Sequence, residues 1–139
     1  MIKFGAPASA ILPIEGKKIE IVIEKIYKIF YRKFNQIQNS ALEFFMQNGG
    51  SILIVLYSEG LARRFLEKCR GRYPAFAKIK VVRDYVREFV ERGYTEKWCN
   101  GELSNFDYLM LVNKYSGRSL VDLNQYYIFP WVITDYTSK

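Results

Sequence analysis

Two apolar runs meeting at Gln47-Asn48-Gly49-Gly50 limit what this chain can fold into more than any other feature. Ala41 to Met46 precedes the break and Ser51 to Tyr57 follows it. Asn and Gly tolerate the positive φ that tight hairpin turns demand, so the stretch predicts an antiparallel β-hairpin. Upstream, Ile19 to Ile37 is rich in Ile, Val, Tyr and Phe. Its apolar positions also satisfy a helical period, but β-branched and aromatic enrichment favours one or two strands with a slip near Glu24-Lys25. Downstream, Ser58 can cap a helix with Leu61, Phe65, Leu66 and Cys69 on one face, Arg63, Arg64, Glu67 and Lys68 turned away, and Gly71 as its end. Strands followed by one closing helix make an α+β pattern.

Pro74 then breaks the chain, and Lys78 to Arg92 has the spacing of an amphipathic helix with Val81, Val82, Tyr85, Val86, Phe89 and Val90 inward and Gly93 as its stop. Thr95 starts a short helical turn carrying Trp98, interrupted by Gly101. Ser104 and Asp107 have the S-x-x-D spacing of a capping box and open a better helix, with Phe106, Leu109, Met110 and Val112 apolar and Gly117 beyond its end. Ser119 to Gln125 predicts one more turn of helix. Ile128 to Ile133 is expected to be extended, because Pro130 bars the helical region at Phe129 and donates no N–H.

Half of the 139 residues are apolar, enough for a real core. The net charge of +7 is unevenly spread, with 17 Lys/Arg against 9 Asp/Glu in residues 1–93 and 4 against 5 in residues 94–139. That shift divides the chain into two pieces of different character. Cys69 and Cys99 are separated by 29 intervening residues without a CxxC, and there is no histidine, which argues against a zinc site and for a cytosolic compartment with reduced thiols. Met1 to Gly16 carries Lys3, Pro7, Pro13 and Glu15 and lacks the apolar core of a signal peptide. No stretch approaches the roughly 20 apolar residues of a membrane span, so a soluble or peripheral protein is expected.

The segment Trp98-Cys99-Asn100-Gly101-Glu102-Leu103-Ser104-Asn105-Phe106-Asp107-Tyr108-Leu109-Met110 closely resembles the opening signature of BEACH domains, W-x-x-x-E-[IL]-S-N-F-[ED]-Y-L-M. The likeness continues through Asn113, Gly117-Arg118-Ser119, Asp122-Leu123-Asn124-Gln125-Tyr126 and Phe129-Pro130-Trp131-Val132. Tyr127 and Ser116 stand where the family usually has Pro and Ala. Upstream, Phe30 to Phe34 and Gln38 to Met46 are similar to the last strands of the PH-like domain that precedes BEACH domains. The resemblance implies a partial PH-like domain at 17–72, a linker with an amphipathic helix at 73–93, and the first part of a BEACH domain at 94–139. It further implies two incomplete domains, the C-terminal strands and closing helix of a PH-like barrel followed by a helical and extended BEACH segment. A half-barrel of that kind has an open edge and an exposed apolar face.

Three sets of residues are candidates for a functional role. Lys25, Lys28, Arg32 and Lys33 sit on the basic strand; a solvated strand face is the plainer account of them, and attraction to an anionic leaflet or to a protein partner the functional one. Asn105, Asn113, Arg118, Asp122, Asn124 and Gln125 form a dense polar set, expected to be amides and an Arg–Asp pair that satisfy buried backbone groups. Trp98, Phe129 and Trp131 are expected in the core, with partner anchoring as the alternative. No catalytic residue, metal ligand or cofactor is assigned, since no base, Ser-Lys or paired-carboxylate arrangement stands out. The resemblance implies a non-enzymatic cytoplasmic scaffold of membrane and vesicle traffic, peripheral on endomembranes of the lysosomal or autophagic kind, working through protein docking and through packing of its PH-like and BEACH domains. The alternatives are a peripheral module for acidic lipid and a small basic nucleic-acid-binding protein, the latter resting on the charged segment with interleaved aromatics.

Overall fold

The computed structural model describes residues 9–14 and 17–129. They fall into two compact units divided between Arg83 and Asp84, inside the stretch 73–93 expected as a linker.

The first unit opens with β1 (Ser9–Ile14) and β2 (Lys17–Val22), an antiparallel pair registered from Ser9 opposite Val22 to Ile14 opposite Lys17. A single 3-10 turn at Ile23–Lys25 separates β2 from β3 (Ile26–Phe34), so the chain slips at Glu24-Lys25 where the change of alternation points. β3 turns into β4 (Ile37–Met46) through Asn35 and Gln36 alone. Both have positive φ, 45° and 66°, the type I′ geometry that matches the twist of flanking strands. β4 turns into β5 (Ser51–Val55) at the Asn-Gly-Gly break, where Gly49 has φ 87° and the Asn48 side chain accepts from the Gly50 N–H at 3.1 Å.

α1 (Glu59–Arg72) starts as its cap predicts, with Ser58 Oγ accepting from the Leu61 N–H at 3.1 Å. Its buried face is displaced from the expected one: Ala62 and Leu66 are buried, Phe65 and Cys69 pack against the core partly exposed, and Leu61 faces out. Gly71 lies inside the helix and does not stop it. Tyr73 does, in the extended conformation that the following Pro74 imposes, and Pro74 opens the short α2 (Pro74–Ala77).

The expected helix from Lys78 to Arg92 is a larger correction. Its first part is β6 (Lys80–Val82), which runs parallel to β3 and completes a sheet of order β5-β4-β3-β6. Val81 and Val82 fit a helical period, yet the edge of β3 offers backbone partners that suit a β-branched pair better; tertiary context overrides the spacing. The sheet is open, with four strands, and among the described residues β1 and β2 form a separate pair. On one face of the sheet Ile29, Tyr31, Leu42 and Phe44 join Ala62 and Leu66 of α1 and Phe76 of α2 as the core. The other face carries Lys28, Phe30, Arg32, Glu43 and Phe45, all buried too.

The second unit holds α3 (Tyr85–Glu91), α4 (Tyr94–Cys99), α5 (Asn105–Tyr115) and a 3-10 turn at Leu123–Gln125. Asp84 caps α3 by accepting from the Arg87 N–H at 2.9 Å, and Gly93, with φ 61°, lets the chain turn straight into α4. Aromatic rings make its centre: Phe89 lies 5.4, 5.7 and 6.2 Å from Tyr94, Tyr115 and Tyr108. The Tyr94 and Tyr115 hydroxyls are 3.3 Å apart. Here too the helical faces differ from their spacing. Val86 and Val90 of α3 are exposed while Glu88 between them is buried; on α5, Phe106 and Val112 are exposed while Asn113 and Tyr115 are buried.

Candidate interaction surface

α5 is set by its first turn. Ser104 Oγ accepts from the Asp107 N–H at 3.0 Å and donates to Asp107 Oδ2 at 2.6 Å, so the two residues at capping-box spacing satisfy each other as well as the helix end. With α5 starting there, Asn105 accepts from the Trp98 indole N–H at 2.8 Å. The Trp98 ring lies flat on Tyr108, 4.5 Å between centroids and 6° between planes. Trp98 is thereby fixed at α4 without being covered.

The polar set holds backbone. Asn113, buried on α5, donates to the Leu109 and Ile128 carbonyls at 2.9 and 2.7 Å and accepts from the Ile128 N–H at 2.8 Å, a two-sided clamp on the returning chain. Asp122 accepts from the Asn124 N–H at 3.0 Å and from the Gln125 amide at 3.2 Å. Gln125 in turn accepts the Ser119 N–H on its carbonyl at 2.9 Å. The expected Arg118–Asp122 pair is not the arrangement found: Arg118 donates instead to the Tyr126 carbonyl at 3.0 Å. Gly117, at φ 93°, supplies the left-handed step after α5 that lets Arg118 and Ser119 turn back. Asn113, Arg118, Asp122 and Gln125 are thus engaged with backbone or with one another, and Asn105 with the Trp98 indole.

The apolar members do the opposite. Leu123 is 91% exposed and Phe106 61%, and Tyr126, Ile128 and Phe129 are also exposed. Phe129 stacks on Phe106 at 5.9 Å and 5°, so the clamp on Ile128 delivers the next ring onto α5. Leu109 and Met110 are half-buried. Trp98 and Phe129, expected in the core, are surface residues. Pro130 and Trp131, with the rest of the expected extended stretch, lie outside the described residues.

Residues 96–139, about a third of the chain, match the family model of the Beige/BEACH domain. The chain is similar to a putative neurobeachin homolog of Caenorhabditis briggsae, 33% identical over 123 residues that cover 84% of this chain and 5% of the relative. It is also similar to WD repeat- and FYVE domain-containing protein 4 of Homo sapiens, 35% identical over 109 residues covering 74% of this chain and 3% of that protein. BEACH domain-containing protein A2 of Arabidopsis thaliana is 28% identical over 128 residues, 84% of this chain and 4% of the relative. The chain belongs to the BEACH-domain family. It spans about 3–5% of the length of these relatives. An alignment over 84% of the chain leaves under a fifth of it outside, so the likeness to the neurobeachin homolog reaches well into the first unit.

In this BEACH-family chain the basic strand is not the array its spacing predicts. Lys25 is exposed and Lys33 half-buried, but Lys28 and Arg32 are buried. Arg32 Nε meets Glu43 Oε2 at 2.6 Å, with both side chains at most 2% exposed, and its guanidinium lies 5.0 and 5.8 Å from the Phe30 and Phe45 rings. Lys28 and Arg32 are thus no solvated face and are not open to a leaflet. The missed partner, Glu43, carried a signal: a lone carboxylate inside the apolar run Ala41 to Met46 demands a cation on the neighbouring strand. The second unit repeats the device, with buried Glu88 accepting from Arg92 at 3.2 Å; that bond, and the attraction behind it, hold the Arg92 guanidinium above its ordinary pKa. No helix among the described residues is long and apolar enough to cross a membrane.

Proposed function

We propose that the chain is a docking module of a BEACH-type scaffold in membrane and vesicle traffic, working in the cytoplasm through protein–protein contact and without catalysis. The observation that carries this is the division of labour at 98–129. Asn113, Arg118 and Asp122 are occupied with holding the chain, while Phe106, Leu123, Tyr126, Ile128 and Phe129 stay outside. Chemistry on a substrate needs polar groups free to act on it; docking needs aromatic and aliphatic anchors held in place. The names of two relatives, a putative neurobeachin homolog and BEACH domain-containing protein A2, support the same reading.

We further infer that the first unit is the closing part of a PH-like domain over 17–72, that 73–93 joins it to a BEACH segment at 94–139, and that the signature residues from Trp98 to Trp131 set conformation and contact. The run of strands β1 to β5 followed by α1, and the reach of the likeness to the neurobeachin homolog upstream, support this. The test is cell-based. Cells lacking the gene product should missort membrane cargo, wild type should restore sorting, and Phe106→Ser with Leu123→Ser should fail to, at unchanged expression and melting temperature. Reproducible turnover of a small molecule that vanishes on Asn113→Ala or Asp122→Asn, in folded protein, would overturn the reading.

A further inference from the structure

The first unit carries a run of exposed positive charge on α1, whereas Lys28 and Arg32 of the basic strand are buried. α1 holds Arg63, Arg64, Lys68, Arg70 and Arg72 against Glu59 and Glu67. Both acids are committed: Glu59 pairs with Arg83 across the unit, and Glu67 with Arg63 one turn back at 3.9 Å. Arg64, Lys68, Arg70 and Arg72 are left, and Arg64, Lys68 and Arg72 stand four residues apart in sequence, so these three rise along one line of the helix. All three are exposed and none has an ion-pair partner among the described residues. Leu61 continues the line toward the N-terminus, half exposed, and Tyr57, 67% exposed, stands just before the cap.

We propose that this outer face of α1 docks on an anionic lipid bilayer. The partner follows from the chemistry of the stripe. Three cations span about 12 Å of a straight helix at 1.5 Å per residue, a linear array that suits laterally mobile headgroups. Leu61 and Tyr57 beside them are the residue types that settle at the boundary of headgroup and acyl chain. The helix also carries exposed glycines at Gly60 and Gly71, where an added Cβ would meet nothing within 4 Å. Glycine inside a helix lowers stability and has no packing reason here, but it leaves the backbone beside Arg64 low enough for a flat surface to approach. The inference concerns the first unit alone and does not rest on the scaffold reading.

Co-sedimentation of the full chain with vesicles tests it. Wild type should bind phosphatidylserine-rich vesicles and not phosphatidylcholine alone, and raising salt from about 0.1 M to about 1 M, which shortens the screening length from roughly 10 Å to roughly 3 Å, should release it. Free inorganic phosphate at the headgroup concentration should not compete beyond its ionic strength. Arg64→Gln, Lys68→Gln and Arg72→Gln together should weaken binding about a hundredfold, from the usual contribution of one basic residue near an anionic surface. The same charge loss elsewhere, Lys25→Gln with Arg87→Gln and Lys97→Gln, should change it less than about threefold. All six positions are exposed, so melting curves should stay within error of wild type. Equal losses in the two triple variants would reduce the effect to net charge and overturn the proposal. So would binding of polyglutamate through the same three residues without binding of vesicles.

Discussion

Glu43→Gln removes one charge from the buried pair of the first unit and almost no volume. The Arg32 guanidinium, at 2% exposure, keeps its shape and position but loses the carboxylate 2.6 Å away. Ser51, which donates to the other carboxylate oxygen at 2.8 Å, can turn its hydroxyl to accept from the new amide –NH2, leaving the amide oxygen against Arg32. The loss therefore reports charge and not packing. Breaking a buried ion pair by removing one partner costs about 3–5 kcal/mol. Arg32 also lies over the Phe30 and Phe45 rings, and desolvated cation–π contacts of about 2 kcal/mol survive the change, which places the expectation near the lower end, about 3 kcal/mol. At about 4–8 °C per kcal/mol for a unit of this size, melting should fall by at least about 12 °C. Arg32→Met should cost a similar amount by stranding Glu43. The double variant Arg32→Met with Glu43→Leu should lie closer to wild type than either single one, because apolar side chains replace a pair whose attraction hardly exceeds its desolvation. Circular-dichroism melts and urea titrations of these proteins and of Glu43→Leu alone, the second single variant of the cycle, give the coupling energy. A Glu43→Gln protein within about 1 kcal/mol of wild type, or a double variant costing the sum of the singles, would refute the reasoning.

Asn113→Ala removes three hydrogen bonds to Leu109 and Ile128 and should cost about 1–3 kcal/mol, seen as faster amide exchange at Ile128; unchanged exchange would mean the clamp holds nothing. Gln36→Gly restores the Asn-Gly pair that a type I′ turn prefers at a position with φ 66°, and should raise stability by about 0.5–1 kcal/mol by urea titration, where a decrease would contradict the turn assignment. Gly60→Ala and Gly71→Ala, which meet no neighbours, should each add up to about 1 kcal/mol to the melting stability, and a loss at either would show a close contact there. Burial holds the Cys69 thiol and the Tyr27 hydroxyl above their ordinary pKa values; for Tyr27 the nearby Lys28 opposes the shift and Glu43 adds to it. Both groups stay protonated in the fold after the unfolded chain has begun to lose those protons. The unfolded state then binds fewer protons, so stability is flat below about pH 8 and falls as pH rises through the ordinary thiol and phenol values. Urea midpoints at neutral and alkaline pH check the sign, and Cys69→Ala should flatten the first part of the fall.

Local punctuation in the first unit is legible from the chain itself. Asn48-Gly49-Gly50 marks a hairpin, Ser58 a helix start, Glu24-Lys25 a slip, and each stands where the turn, cap or 3-10 step occurs. These signals work over a few residues and need no tertiary partner. The turn at Asn35-Gln36 escaped because glutamine is a poor advertisement for positive φ. β6 escaped because nothing within 78–92 announces that β3 will have an open edge for Val81 and Val82 to join. The placement of Leu61 and Ala62 turned on a single residue of helical phase, and alanine, being small, does not declare itself as the contact that lets α1 approach the sheet.

The second unit misleads for a deeper reason, which also bears on how it works. Burial there runs against polarity: Glu88, Asn113, Ser119 and Asp122 are inside, while Val86, Val90, Phe106 and Leu123 are outside. A unit built of short helices has many end and connecting backbone groups that no helix ladder satisfies, and short polar side chains are the economical way to satisfy them. Once Asn113 and Arg118 hold Ile128 and Tyr126 by their backbones, the side chains of that stretch are released from packing duty and face solvent. What remains for recognition is apolar and aromatic surface, whose attraction for a partner scales with area and is little screened by salt. The stripe on α1 has the opposite character, exposed cations whose attraction vanishes at high ionic strength. A full chain that lost vesicle binding in high salt while keeping a protein partner, and lost the partner on Phe106→Ser with Leu123→Ser while keeping vesicles, would show the two surfaces to be independent. Joint loss in both experiments would mean one surface, and the separation drawn here between polar scaffold and apolar contact would fail.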